Sequence, residues 1–177
     1  MAAAKRTSKA SDAALGGITL ALIILTLYAI TIIKNSTIFL LVLSNYLSAI
    51  PYIKGRIRLG IEVYIAAIIL SLVVVPERLY TIAYAVTGLY PLVKLLCESR
   101  KLIEEFILKL LYYNISMVSL LIVYDAIMST SMLNMIWTIG LKQVAVIIAA
   151  EAFFIVYDYI FSKFIKYINN KLIWKIS

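Results

Sequence analysis

Histidine is absent from this sequence of 177 residues, cysteine occurs once and proline three times. Without imidazole, a zinc site loses a favoured ligand and a serine nucleophile loses its usual base. Cys97 has no partner for an intramolecular disulfide, and its position near a predicted helix end indicates an inert thiol. The ATP-binding pattern GxxxxGK(S/T) is missing, as are HExxH and CxxC. We therefore expect no enzymatic activity, no metal site and no cofactor.

Polar residues are also scarce, since 64% of the chain is hydrophobic and the mean hydropathy is +1.00. The apolar residues form long blocks, which suit lipid better than the core of a soluble protein. We predict an all-α integral membrane protein, a bundle of six transmembrane helices. The predicted spans are residues 13–33, 37–53, 61–75, 79–96, 106–127 and 139–161.

Basic residues outnumber acidic ones by 17 to 9, but they lie in the gaps between apolar blocks rather than in a nucleic-acid-binding patch. Twelve of the seventeen fall in alternate gaps and at the two ends, and Lys94 and Lys109 lie within four residues of one of these gaps, which brings this side to fourteen. This is the positive-inside pattern of a multi-pass protein of the bacterial plasma membrane, with both termini in the cytoplasm. Residues 1–12 are predicted to form a disordered basic cytoplasmic tail, and residues 13–177 a single transmembrane domain.

One segment of the chain is expected to contain a bend, and a second segment has two possible structures. Gly88 and Pro91 are expected to bend or loosen span 4. Residues 100–113 suit either an amphipathic helix on the cytoplasmic face or a charged start to span 5. No internal repeat stands out in the sequence.

Glu151 is the strongest candidate for a functional residue, because it lies near the middle of predicted span 6. A charged side chain at that depth costs roughly 2.5 to 3.5 kcal/mol. Either a ligand or water-lined cavity offsets this cost, or Glu151 is a protonated hydrogen-bond anchor between helices. Asp158 lies about 10 Å further along the helix, too far to share a proton with Glu151. We expect it to be structural, paired with Lys163 or Lys166.

Other polar residues could complete a substrate site. Asn134, Trp137 and Lys142 lie near the outer end of span 6, where an aromatic ring, an amide and an ammonium suit a small polar ligand with a ring. The alternative for these three is an interfacial belt with a snorkelling lysine. Asn45 and Tyr84 are further candidates within the membrane, and hydrogen bonding between helices would explain them equally well.

Ala13, Gly17 and Ala21 form a ladder of small residues spaced four apart in span 1. Such ladders let helix backbones approach closely in lipid. The ladder is therefore either a partner interface or a packing surface inside the bundle.

The chain resembles the substrate-binding S component of energy-coupling-factor (ECF) transporters. The resemblance rests on six short-loop helices, on the Ala13, Gly17 and Ala21 ladder, and on three stretches of sequence. These stretches are Ala49-Ile50-Pro51, Gly88-Leu89-Tyr90 and Leu108-Lys109-Leu110-Leu111-Tyr112-Tyr113-Asn114. Glycine at position 17 stands where the family motif has alanine.

The resemblance implies a substrate-capture subunit of a micronutrient or vitamin importer. Such a subunit binds a small organic ligand from outside and docks through its first helix on a transmembrane coupling subunit. Two cytoplasmic ATPases then drive release. The alternative is a non-transporting membrane scaffold, similar to a rod-shape-determining subunit, in which Glu151 would only anchor helices. A small channel or secondary transporter would require broken helices in paired halves, and only span 4 has an obvious Gly/Pro interruption.

Overall fold

The computed structural model describes residues 2–97, 102–128 and 141–173, and every regular element in these ranges is helical. A single 3₁₀ turn, Lys34–Ser36, follows the first helix. The α-helices are α1 (Ala2–Ile32), α2 (Thr37–Ser48), α3 (Ile50–Ile53), α4 (Ile57–Val74), α5 (Arg78–Thr87), α6 (Tyr90–Cys97), α7 (Leu102–Met128) and α8 (Leu141–Ile173).

Six segments are long and apolar enough to cross a membrane, which confirms the predicted all-helical fold and its six spans. They are Lys9–Ile32, Lys34–Ile53, Ile57–Val74, Arg78–Cys97, Ile103–Ile127 and Val144–Asn170. The protein is therefore a multi-pass membrane protein. Residues 102–113 form the first turns of the continuous helix α7, which favours the charged start of span 5 over a separate surface helix.

The first twelve residues differ from the predicted disordered tail, because α1 is helical from Ala2 onward. This segment contains four alanines and neither glycine nor proline, and alanine is the strongest helix former. The Asp12 carboxylate also forms an ion pair with Arg56 in the turn before α4, which fixes the segment to a second helix.

The chain divides into two compact units, Met1–Leu96 and Cys97–Ser177. One domain over residues 13–177 stays a prediction. In the first unit, α1 packs against α4, and each of the two helices carries a stripe of buried residues. On α1 these are Gly16, Thr19, Ile23, Leu27 and Ile30, and on α4 they are Gly60, Val63, Tyr64, Ala67 and Ser71, all of them buried.

In the second unit, α7 and α8 pack as an antiparallel pair. Several side-chain contacts join them, and the partner residues on α8 follow in reverse order along α7. Lys109 lies 3.7 Å from Asp158, the ring of Tyr113 stacks on Phe154 with centroids 4.5 Å apart, and Asn114 hydrogen-bonds Glu151. This order fixes the register of the hairpin.

Two of the spans are interrupted. Span 4 is divided into α5 and α6 at Gly88 and Leu89, which confirms its predicted interruption. Span 2 is divided in the same way into α2 and α3, with Ala49 between them. Each break lies two residues before a proline, Pro51 or Pro91, which cannot donate a hydrogen bond to the carbonyl four residues earlier.

Candidate functional site

Polar side chains gather in the first unit where α2 and α5 end. We call the group the kink cluster; its residues are Asn45, Ser48, Tyr52, Tyr64, Tyr84 and Thr87. All but Thr87 are buried, although every one of them belongs to a segment apolar enough to span the membrane. The cluster unites Asn45 and Tyr84, two of the site residues predicted from the sequence.

Hydrogen bonds in the kink cluster join α2, α4 and α5. The Asn45 amide nitrogen donates to the Thr87 hydroxyl at 3.0 Å, and that hydroxyl lies 2.8 Å from the Ala83 carbonyl oxygen, to which it donates. The Tyr64 hydroxyl donates to the carbonyl of Ala85, which ties α4 to the last turn of α5. Asn45 is thus engaged between helices.

Tyr84 is the exception in this network. Its side chain is fully buried, and its hydroxyl oxygen is sealed from solvent and makes no hydrogen bond of normal geometry among the described residues, although the Ser48 hydroxyl is close enough to interact with it. The ring lies against Gly88, where an added Cβ would come within 3.0 Å of a ring carbon, so the hydroxyl reaches the break in span 4. The Tyr64 ring lies nearby, with centroids 6.0 Å apart.

A second buried hydroxyl without a partner lies one turn earlier on α5. Thr81 is 1% exposed, and no described residue bonds its side-chain oxygen. A buried hydroxyl that has left water without gaining a partner costs about 1 to 3 kcal/mol. Thr81 and Tyr84 therefore place two such groups on one face of α5.

Glu151 lies in the other unit and is not part of the kink cluster. Its Oε1 accepts a hydrogen bond of 2.9 Å from the Asn114 amide, and its Oε2 is buried without a partner among the described residues. Asn114 is close to the middle of the span Ile103–Ile127, so Glu151 meets α7 at mid-span. The bond joins two helices, as the predicted anchor requires, and leaves one carboxyl oxygen for a further group.

Asp158 is structural, but its partner differs from the one predicted. It lies 3.7 Å from Lys109 on α7, and Lys109 also pairs with Glu105 one turn earlier. Lys109 is buried, whereas Lys163, a predicted partner, is exposed and lies over the ring of Tyr159. The prediction named Lys163 and Lys166 because they are close to Asp158 in sequence and on the same helix. In the structure, the antiparallel register of the hairpin places Lys109 beside Asp158 instead.

The remaining predicted substrate residues cannot be placed. Asn134 and Trp137 lie outside the described residues, and so does the side chain of Lys142, although its backbone begins α8. The site predicted at the outer end of span 6 stays a prediction.

The ladder of Ala13, Gly17 and Ala21 is exposed along α1. A Cβ built at Gly17 meets no atom within 4 Å. The residue that does pack inside the unit is its neighbour Gly16, whose added Cβ would lie 3.1 Å from Leu59 and 3.4 Å from Val63. The described part of the chain therefore uses Gly16, and not the ladder, for close approach of α1 and α4.

The two interrupted spans correspond to each other in a way that the sequence alone did not make evident. A shift of forty residues places Pro51 on Pro91 and aligns Ile-Pro-Tyr-Ile-Lys (50–54) with Tyr-Pro-Leu-Val-Lys (90–94). The same shift superposes the bounds of α2 on those of α5 within one residue, and the start of α3 on that of α6.

Each of the two interrupted spans follows one straight span. Equivalent helices contact each other, α1 with α4 and α2 with α5. The kink cluster lies at the second of these contacts. The short motif around each proline was the sequence signal for this correspondence. A hydropathy profile does not show it, because both motifs lie in apolar blocks.

No family model, curated protein or solved structure matches this chain.

Proposed function

We propose that this protein is a membrane-embedded substrate-capture subunit, similar to an ECF S component, of a bacterial micronutrient importer. The observation that carries the proposal is the buried polar cluster within the membrane-spanning segments, in which the fully buried Tyr84 hydroxyl makes no hydrogen bond of normal geometry among the described residues. The capture site is then the kink cluster, with Asn45 and Tyr84 as its central residues.

The physical argument is the free-energy cost of burying polar groups in lipid. Apolar side chains at these positions would hold α2 and α5 together in lipid without any unsatisfied group. A ligand that hydrogen-bonds to them explains why a hydroxyl and an amide are kept at such a depth. The paired interruptions of spans 2 and 4 support this location, because solute sites in transporters are typically formed by discontinuous helices.

The energy for import comes from partners in this proposal. The sequence contains no P-loop of its own, so ATPases and a transmembrane coupling subunit supply the work. The exposed ladder on α1 is the docking surface for the coupling subunit, since small residues there admit a close helix approach. Both termini are cytoplasmic, as the charge pattern indicates.

A second candidate is a secondary transporter that needs no partner. The paired interruptions of spans 2 and 4 favour it, because discontinuous helices at matching positions of two repeats are its expected feature. A scaffold without a ligand is supported only by the Asn114–Glu151 bond between helices.

Two measurements on the purified protein separate these functions. Native mass spectrometry in mild detergent is expected to detect a retained small organic molecule in the wild-type chain. Tyr84→Phe should lose that molecule, whereas Tyr28→Phe, on an exposed face of α1, should keep it. Copurified coupling and ATPase subunits support the importer, and uptake by liposomes holding this chain alone supports the secondary transporter. Absence of any retained molecule or uptake, with cell-wall or cytoskeletal proteins copurified, would establish the scaffold.

A further inference from the structure

We propose that the start of α1 and the turn before α4 bind the headgroup of an anionic phospholipid. Four basic side chains form this site, which we call the basic turn patch: Lys9, Lys54, Arg56 and Arg58. The patch shares no residue with the kink cluster, and its occupant is a lipid rather than a transported solute. Its depth in the membrane, the arrangement of its charges and the apolar side chains beside it support the proposal.

The patch lies at the boundary of the hydrocarbon core. One apolar span begins at Lys9, the next ends at Ile53, and a third begins at Ile57. The turn between the last two therefore lies at the level of the headgroup region, which contains the lipid phosphates. The charge pattern assigns this side to the cytoplasm, and the cytoplasmic leaflet carries anionic lipids.

The charges of the patch are held close together. Asp12 pairs with Arg56 and so joins α1 to the turn before α4. Lys9 precedes Asp12 by three residues, and side chains at that spacing on a helix have Cβ atoms about 5 to 6 Å apart. Gly55, between Lys54 and Arg56, has a φ of 70°, which glycine adopts without strain. The lysine of α1 and the lysine of the turn therefore flank one ion pair.

Positive charge exceeds negative charge at the patch. Its two acidic neighbours are each paired with one of its arginines, Asp12 with Arg56 and Glu62 with Arg58. Arg58 donates to Glu62 through Nε, and its side chain is 95% exposed. The two lysines are exposed and form no ion pair within the described part of the chain. A phosphodiester complements this excess of positive charge.

A row of exposed isoleucines on α4 leads away from the patch into the membrane. Its members are spaced four residues apart, at Ile57, Ile61, Ile65 and Ile69. Side chains at this spacing lie above one another on a helix, so the row is continuous from the turn toward the middle of the span. An acyl chain attached to the bound headgroup packs along this row. A free phosphate ion gains no such contact, so a lipid is the occupant that the patch and the row suit together.

Thermal unfolding of the full chain in a neutral detergent tests the proposal. Phosphatidylglycerol and phosphatidylcholine with the same acyl chains are titrated into separate samples, and inorganic phosphate into a third. Phosphatidylglycerol is expected to raise Tm saturably, and at a lower concentration than phosphatidylcholine, because a ligand that binds only the folded state stabilises it. The difference between the two lipids should shrink as NaCl is added, since salt screens exposed charges.

Two double variants then locate the effect. Lys9→Gln combined with Lys54→Gln should raise the half-saturating concentration of phosphatidylglycerol roughly fivefold for each lysine removed. Lys163→Gln combined with Lys166→Gln is the matched control, because it removes the same charge from two exposed lysines of α8. The control should respond to phosphatidylglycerol like the wild type. All four side chains are exposed, so both variants are expected to fold.

Three results would overturn the proposal. Equal half-saturating concentrations of the two lipids for the wild type would show that the patch does not recognise negative charge. An equal loss in the two double variants would show that the total charge of the protein, and not the patch, attracts the lipid. A saturable rise of Tm with inorganic phosphate at the same concentrations would assign the patch to a free anion.

Discussion

Charged and polar side chains in the second unit are held in pairs across the α7–α8 hairpin. Lys109 is buried between Glu105 and Asp158, so its charge is compensated within the described residues. Removing one member of such a pair leaves an unbalanced charge, which costs more than the pair itself contributes. Glu151 differs, because its described partner is the neutral amide of Asn114.

We predict that the bond between Asn114 and Glu151 stabilises the hairpin modestly. Hydrogen bonds between membrane helices contribute about 0.6 kcal/mol on average. A double-mutant cycle with Asn114→Leu and Glu151→Leu, measured by unfolding in mixed detergent, should give a coupling energy of about that size. Glu151→Gln keeps an acceptor for Asn114 and should unfold like the wild type.

The same variants distinguish the two roles considered for Glu151. If both Glu151→Gln and a folded Glu151→Leu still retain a small molecule, Glu151 is only an anchor between helices. Its loss in Glu151→Gln, where the fold is intact, would instead place the carboxylate at a ligand.

At the scale of elements, the sequence predicted the helices well and their interior breaks partly. A long apolar block predicts a membrane span whatever its exact residues are, so all six spans were predicted. The break at Gly88 was predicted because glycine and proline lie close together, whereas in span 2 the break at Ala49 has only Pro51 as a signal. The kink cluster was found only in part, since Asn45 and Tyr84 are ordinary polar residues until the packing of α2 against α5 joins them.

Glycine at position 60 is required for the packing of α3 on α4. A Cβ at Gly60 would lie 2.4 Å from a ring carbon of Tyr52, which is buried at the end of span 2. We predict that Gly60→Ala displaces the Tyr52 ring and destabilises the protein by about 1 to 3 kcal/mol.

Thermal unfolding of the Gly60→Ala variant measures this cost, and adding Tyr52→Ala, which removes the ring, should make the Gly60→Ala change nearly neutral. Gly17→Ala is the matched control, because nothing lies within 4 Å of its Cβ. Equal stability of Gly60→Ala and Gly17→Ala would contradict the packing described here.

At the scale of the whole molecule, the charge pattern predicts which ends of the helices face the cytoplasm. After Cys97→Ala removes the single native thiol, cysteine can be introduced at Asn35 or at Asn169, both exposed. A membrane-impermeant maleimide added to intact cells should label Asn35→Cys and spare Asn169→Cys. The reverse labelling would invert the proposed orientation, and labelling of both would contradict the odd number of crossings expected between them.

The last prediction separates docking from folding by means of two adjacent glycines on α1. Gly16 is buried against Leu59 and Val63, whereas Gly17 faces away from the described residues. Gly16→Leu should therefore force α1 away from α4 and lower Tm, by an amount typical of overpacking, about 1 to 3 kcal/mol in free energy of unfolding. Gly17→Leu should leave Tm and ligand retention unchanged but abolish copurification of the coupling subunit, because a leucine there prevents close approach of a partner helix. If the coupling subunit still copurifies with Gly17→Leu, the ladder is not its docking surface, and the exposed face of α1 contacts only lipid at that position.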